Sequence, residues 1–366
     1  MSQSLAAFTP IKFSLKLVEL LYNDGIYPII SNNKYEGQIK DAGDRVRVRT
    51  AARISLSAYT KGMTLVAQDL NPTSEDLVID QQQYFKFVVD DVDKIQNDIN
   101  AIAEYAANAK RDMSELIDTD LLSYGRKNVY YANAVGTNYS TGTASVATTG
   151  VVTGSGTTFT SAMVGGIIKF AGATKGYYIS AYSSATSITV IDQGGTTFTG
   201  SAILPAAADT TYVIYAATHR STTKSTIYKD LVDVDTVLTA QKVPRGNRFI
   251  VLNAAAEGIL RQAPEFIPAV QSAYTGVVER GMIGTIAGLK VVSSQLVDGN
   301  NTTGYWFLAG DKDFLSFASQ ISKVSVVPSE SDPTTFVSTC KGLLVYGRKV
   351  FEENRKRGAV LRAVLS

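Results

Sequence analysis

Between Arg45 and Tyr59 hydrophobic and polar positions alternate. Val46, Val48, Thr50, Ala52, Ile54, Leu56 and Ala58 fall on one side. Arg45, Arg47, Arg49, Ala51, Arg53, Ser55, Ser57 and Tyr59 fall on the other. Successive side chains of an extended chain point to opposite faces. The period of two therefore predicts a strand of about fifteen residues with one apolar and one basic face. Lys61-Gly62 and Asn71-Pro72 read as turns, and Leu77–Val89 as the returning strand. After Asp90-Asp91 the period lengthens: Ile95, Ile99, Ile102, Ala106, Ala109, Met113 and Leu116 recur at spacings of three and four. They share one face of a helix predicted over about Asp91 to Ser123, roughly 50 Å long at 1.5 Å per residue. Such reach exceeds what one compact domain needs and fits a part that spans neighbours in an assembly.

On the N-terminal side, residues 1–35 read as an arm. Phe13, Leu17, Leu20 and Leu21 sit at helical spacing there, before Asn23-Asp24-Gly25 ends the helix. Between Thr137 and Ala217 the composition changes sharply. Only Lys169, Lys175, Asp192 and Asp209 are charged, against seventeen threonines and nine serines. Short β-branched and aromatic runs recur between the turns, at Ile167–Phe170, Gly176–Ser180, Ser187–Ile191 and Tyr212–Tyr215. A disordered linker would not keep them, so a small inserted all-β domain, barrel or sandwich, is expected. Gly-Thr-Thr-Phe-Thr occurs twice, at Gly156–Thr160 and Gly195–Thr199, as equivalent turns would.

Beyond His219 helix and strand patterns mix. Helices are expected at Ile227–Val237, at Ala254–Arg261 and, capped by Asp311, at Asp311–Ala318. Strands are expected at Arg248–Asn253, Leu289–Ser293, Tyr305–Ala309, Lys323–Val327, Gly342–Val350 and Ala359–Leu365, with Glu352–Arg357 a charged turn. Segments before and after the β insert then build one α/β domain.

Composition narrows the chemistry. The formal net charge of +2 on 366 residues makes no global case for binding nucleic acid or an anionic membrane. No signal peptide and no spanning segment is expected. Cys340 is the only cysteine and His219 the only histidine, which leaves no intrachain disulfide and no cysteine cluster for zinc. His219 has no carboxylate near it in sequence and reads as a solvated or hydrogen-bonded side chain at a junction. There is no Walker-type loop, and Gly154-Ser155-Gly156 lacks the third glycine of a dinucleotide loop. Asp90, Asp91 and Asp93 are expected to favour the positive end of the helix dipole rather than a metal. Asp230, Asp233 and Asp235 read as a solvated face.

Basic residues cluster twice. Arg348, Lys349, Arg355, Lys356, Arg357 and Arg362 lie among Phe351, Glu352 and Glu353, as on a surface that pairs with protein. Arg45, Arg47, Arg49 and Arg53 line the basic face of the long strand. Because a two-stranded ribbon is only marginally stable alone, these four are expected to pair with carboxylates of a neighbouring subunit.

The order of these parts resembles the major capsid proteins of tailed bacteriophages, whose fold is the Hong Kong ninety-seven type. Gly43-Asp44-Arg45-Val46-Arg47-Val48 resembles the opening of that family's extended loop. Phe85–Val89 with Asp90–Ser123 resembles its return strand and spine helix. Val243–Val251 resembles the entry to its axial domain, and Asp311–Ala318 and Gly342–Gly347 resemble later segments. The resemblance covers about residues 10–130 and 219–366.

It implies an α+β fold divided into an N-terminal arm (1–40), extended loop and peripheral strands (41–90), spine helix and peripheral domain (91–136), inserted β domain (137–217), axial domain and return (218–340) and C-terminal peripheral strands (341–366). It also implies a non-enzymatic major capsid protein made in the bacterial cytoplasm and located in the virion. Hexamers and pentamers would form an icosahedral shell around double-stranded DNA bound without sequence specificity, with no cofactor and no membrane. Partners would be a portal and separate scaffolding or decoration proteins. Some family members cross-link a loop lysine to an asparagine of another subunit, and Lys61 with Asn354 is the pair this chain offers. Two rival readings are an encapsulin-like compartment shell and a phage tail or adhesion protein with a carbohydrate-binding β domain.

Overall fold

A computed structural model of the chain describes residues 25–35, 45–51, 54–65, 67–70, 72–90, 101–193, 210–264, 282–327 and 337–366. Phe13, Leu17, Leu20, Leu21, Arg53, Ile95, Ile99, the acidic cluster after Asp90 and the second Gly-Thr-Thr-Phe-Thr copy lie outside them. The described residues form two compact units, one drawn from 33–104 and 316–351, the other from 25–32, 105–315 and 352–366.

In the first unit the alternation after Arg45 does make a strand, but a short one. Arg45–Thr50 pairs antiparallel with Thr73–Val78, from Arg45 opposite Val78 to Thr50 opposite Thr73. The arginines are exposed, and Val46 and Val48 pack on a core of Leu77, Ile79, Ala318 and Phe351. The expected strand to Tyr59 stops at Thr50, because the two limbs then part. Beyond that point, among the described residues, the Gln68 side chain and no backbone ladder ties them, accepting from Ser55 N and donating to Ser55 O.

The returning strand is two strands. Thr73–Val78 serves the ribbon, whereas Gln81–Asp90 pairs with Val337–Lys349, which in turn pairs with Leu315–Val327. The change of partner is possible because Gly347 stands where a Cβ would come within 2.3 Å of the Val78 carbonyl. No helix begins at Asp311. Phe314 N donates to Asp311 O (2.8 Å) in a tight turn that leads into the Leu315–Val327 strand. The Asp311 carboxylate receives Arg357 at 2.7 Å instead of capping a helix.

The second unit is built on the long helix, Ala101–Lys127, about 40 Å at 1.5 Å per residue. It outlasts the expected end at Ser123 and closes on Arg126 and Lys127, cations suited to the negative end of its dipole. Its buried face is Ser114, Ile117, Asp118, Leu121 and Leu122, whereas Leu116 is 38% exposed. The expected stripe is thus rotated, since the true face carries two polar side chains that an apolar pattern passes over.

A mixed sheet follows, in the order Arg220–Thr222, Gly358–Leu365, Gly304–Asp311, Arg248–Leu252, Leu289–Ser293, Met282–Ile286. Helices Ile227–Ala240 and Ala254–Arg261 belong to the same unit, the latter capped by Asn253 Oδ1 on Ala256 N at 2.8 Å. Ala287-Gly288 joins the last two strands with φ of 50° and 79°, the two-residue turn that Asn-Gly favours. Ala287→Asn is therefore expected to raise stability by about 0.5–1 kcal/mol, read as a higher denaturation midpoint.

Strands within residues 137–193 and 210–218 form a seven-stranded sheet in the order Thr137–Tyr139, Tyr212–Thr218, Ile167–Phe170, Tyr177–Ser184, Ser187–Ile191, Val151–Ser155, Thr143–Val146. Ala144 and Thr210 exchange both backbone hydrogen bonds at 3.0 Å, which returns the last strand to the start of Tyr212–Thr218 and closes a barrel. Its interior is filled by Phe159, Phe170, Tyr177, Tyr212, Met163 and aliphatic neighbours. Phe159, from the first Gly-Thr-Thr-Phe-Thr copy, lies 5.9 Å from the Tyr212 ring.

Candidate assembly surface

The ribbon and the loop beyond it bring the expected site residues together only in part. Arg47 stands directly opposite Asp76 and binds it through two contacts, Nε to Oδ1 at 2.8 Å and Nη2 to Oδ2 at 3.1 Å. The Arg47 hydrogen bond holds the Asp76 carboxyl below the usual carboxylate range. Arg45 reaches the same carboxylate at 3.9 Å. Arg47 thus has a carboxylate partner within its own chain. Antiparallel register already supplies its partner. Arg49 faces Ser74 and forms no ion pair among the described residues. Arg53 lies outside those residues. Lys61 is exposed in the turn closed by Met63 N on Thr60 O at 3.0 Å, where Gly62 takes φ of 88°.

Between the turn and the ribbon the loop presents apolar side chains to water. Ile54 is 67% exposed, Leu56 97%, Tyr59 68% and Leu65 76%, with Met63 and Leu70 also uncovered. A lone exposed leucine needs no explanation. Six large apolar residues gathered on one loop are what an interaction surface looks like before its partner arrives.

Elsewhere the charged groups are structural. Asp230, Asp233 and Asp235 are not a solvated face. Asp230 is buried, receives Thr222 Oγ1 at 2.6 Å and shares Arg220 with Asp233, at 3.2 and 2.6 Å. Asp235 holds the buried Arg248, which also donates to Thr239 Oγ1 (2.8 Å) and to the Pro244 and Val243 carbonyls. Part of the C-terminal basic cluster likewise turns inward, although Lys356 is exposed. Arg362 is buried, and Arg355 donates to Gln193 Oε1 at 2.6 Å. The partners of Asp230, Asp233 and Asp235 lie 8 to 13 residues away in a different element, and Gln193 lies 162 residues from Arg355, so helical or strand spacing alone does not reveal the pairs.

His219 is half-buried, and its Nδ1 is buried without a hydrogen-bond partner. Burial pushes the Cys340 thiol up to about 11, which suits an inert core side chain. Among the described residues no group of three or more His, Cys, Asp or Glu could hold a metal, and no helix is long and apolar enough to cross a membrane.

A family model described as "Phage capsid protein" matches residues 176–360, half of the chain. No curated protein sequence matches it. Among solved structures, one from Mycobacterium phage Che8 is similar at 20% identity and a TM-score of 0.55, covering 92% of this chain and 91% of that one. The capsid of cyanophage P-SCSP1u follows at 14% and 0.53, over 90% and 85% of the two chains. The capsid asymmetric unit of cyanophage Pam1 is similar at 11% and 0.53, over 92% and 89%. At these identities the structures speak for the fold, and the family match speaks for the role. The chain belongs to the phage capsid protein family: it is a major capsid protein with the Hong Kong ninety-seven type fold, a structural component of the viral shell.

Proposed function

We propose that copies of this chain assemble as hexamers and pentamers of an icosahedral shell enclosing double-stranded DNA, and that residues 45–70 lie across an adjacent copy. The observation that carries the reading is the loop of exposed Ile54, Leu56, Tyr59 and Leu65 at the end of a two-stranded ribbon. The ribbon rests on its own core through Val46 and Val48, but the loop beyond it has none, and burial of that tip on a neighbour supplies what it lacks. Repeated over every copy of a closed shell, contacts that are individually weak hold firmly together. In this reading Arg49 and Lys61 are the cations of the loop that reach a neighbour's carboxylates, joined by Arg45 and Arg53. Arg47 serves within its own chain.

The 137–217 barrel is the insertion, carried on the outer face of the shell. Its filled aromatic interior and scarcity of charge favour a spacer or docking module over a ligand pocket. A portal and a separate scaffolding or decoration protein are the expected partners. Contact with DNA is non-specific, in keeping with a net charge of +2, and the subunit is made in the host cytoplasm. Expressed with any scaffolding protein it requires, the chain is expected to give closed particles by electron microscopy. A species that stays monomeric under those conditions contradicts the proposal.

A further inference from the structure

Residues 25–32 form a strap fastened at two points. One is Asp118, on the buried face of the long helix. Its Oδ1 accepts Tyr27 N at 2.9 Å and its Oδ2 accepts Ile26 N at 3.1 Å. The other is Asn32, whose amide donates to Asp313 Oδ1 at 2.8 Å, a carboxylate that Arg357 also approaches at 3.4 Å. Within the strap Ser31 Oγ donates to Tyr27 O at 2.6 Å. Fit is close at Gly25, where a Cβ would come within 2.6 Å of the Tyr27 ring and 2.7 Å of Ser114 Oγ.

The unusual member is Asp118. It is 5% exposed, and among the described residues no lysine or arginine pairs with it. The charged group facing it from its own helix is Glu115, of like sign, and the strap presents Tyr27 and no charged residue from Gly25 to Asn32. Among the described residues two backbone N–H groups are thus the whole compensation for a buried carboxylate, while the hydroxyl of Ser114 beside it is buried without a partner.

We infer that Asp118 is a proton-sensitive latch, which holds the strap of residues 25–32 to the long helix firmly in acid and less firmly as the pH rises towards neutrality. Burial, with Glu115 adding to it and the two N–H groups opposing, raises the carboxyl from its usual 3.8 to about 6. An acid that binds its proton more tightly when latched than when released contributes its full hold below pH 3.8. That hold is lost progressively up to about pH 6, and the weakening levels off above it. A difference of this size changes the latch equilibrium by about 100-fold. The inference concerns contacts within one chain and stands whether or not the proposed shell geometry holds.

Hydrogen–deuterium exchange of the full-length protein, corrected for intrinsic rates between about pH 4.5 and 7.5, tests it. Protection of the Ile26 and Tyr27 amides is expected to fall by up to about 100-fold across that range in the unmodified chain. The fall is expected to be absent in Asp118→Asn and moved to lower pH in Glu115→Gln. Protection that is flat or rises with pH in the unmodified chain overturns the inference, as does a Glu115→Gln profile that matches it. If Asp118→Asn does not fold, the other two proteins still decide.

Discussion

Replacing Arg362 by methionine is expected to destabilise the subunit by about 3–5 kcal/mol. Its guanidinium makes four hydrogen bonds, all to main-chain carbonyls. Nε and Nη2 donate to Thr303 O at 3.2 and 2.9 Å, and Nη1 donates to Ala216 O and Ala217 O at 3.0 and 2.9 Å. It also lies 4.4 Å over the ring of Trp306, its direct cross-strand neighbour, whose ring is shared with Arg126 at 5.1 Å. One fork thereby ties the end of the barrel strand to the Asn301–Thr303 turn and to the closing strand of the sheet. Ala216 holds its place there at φ of 49°, a conformation alanine adopts at a cost.

Methionine fills much of the space but strands the buried Ala216 and Ala217 carbonyl oxygens, each costing about 1–3 kcal/mol when unsatisfied, less whatever relaxation recovers. Lysine retains the charge without the planar fork and is expected to recover less than half of the loss. As a control, Arg111→Ala, at an exposed pair with Glu115, should change the denaturation midpoint by less than about 0.5 kcal/mol equivalent. Equal losses at the two positions contradict the role given to Arg362.

The second large effect should appear in assembly and leave the fold alone. Leu56→Asp with Leu65→Asp places carboxylates where the side chains are 97% and 76% exposed, so the isolated subunit should keep its circular dichroism and melting temperature. On a neighbour's surface the same carboxylates must lose water without a partner, at several kcal/mol each. Closed particles, counted by light scattering or electron microscopy, should fall by about 100-fold or more. Particles in normal yield contradict the placement of the loop on a neighbour.

How much of this was legible follows from where each element finds its partners. Ser187–Ile191, Ala254–Arg261 and Leu289–Ser293 have the boundaries that their periods and flanking turns predict, because their limits are set locally. The barrel's strands were visible for the same reason. Its closure was not, since the Ala144–Thr210 pair joins residues from opposite ends of the segment.

The strand from Arg45 was overextended to Tyr59 because alternation persists after pairing has ended. An alternating stretch without a partner is a loop that carries strand residues, and here that mismatch marks the candidate surface itself. Charged residues are the least legible from sequence. Arg362 and its carbonyl acceptors, Asp118 and Tyr27, and Asp230 and Arg220 are joined by the tertiary fold. Charge along the sequence says only that they are polar, which is ordinarily a reason to place them outside. The long helix shows the same effect. An apolar pattern misses its buried face because the polar Ser114 and Asp118 sit on it, and Asp118 binds the strap.

A cryo-EM map of particles assembled from this chain tests the central claim most directly, through the surroundings of residues 54–70. The expected map places Leu56 and Leu65 in contact with an adjacent subunit, with Arg49 and Lys61 within reach of its carboxylates. A map in which that segment packs on its own subunit, or stands clear of every other copy, contradicts the claim.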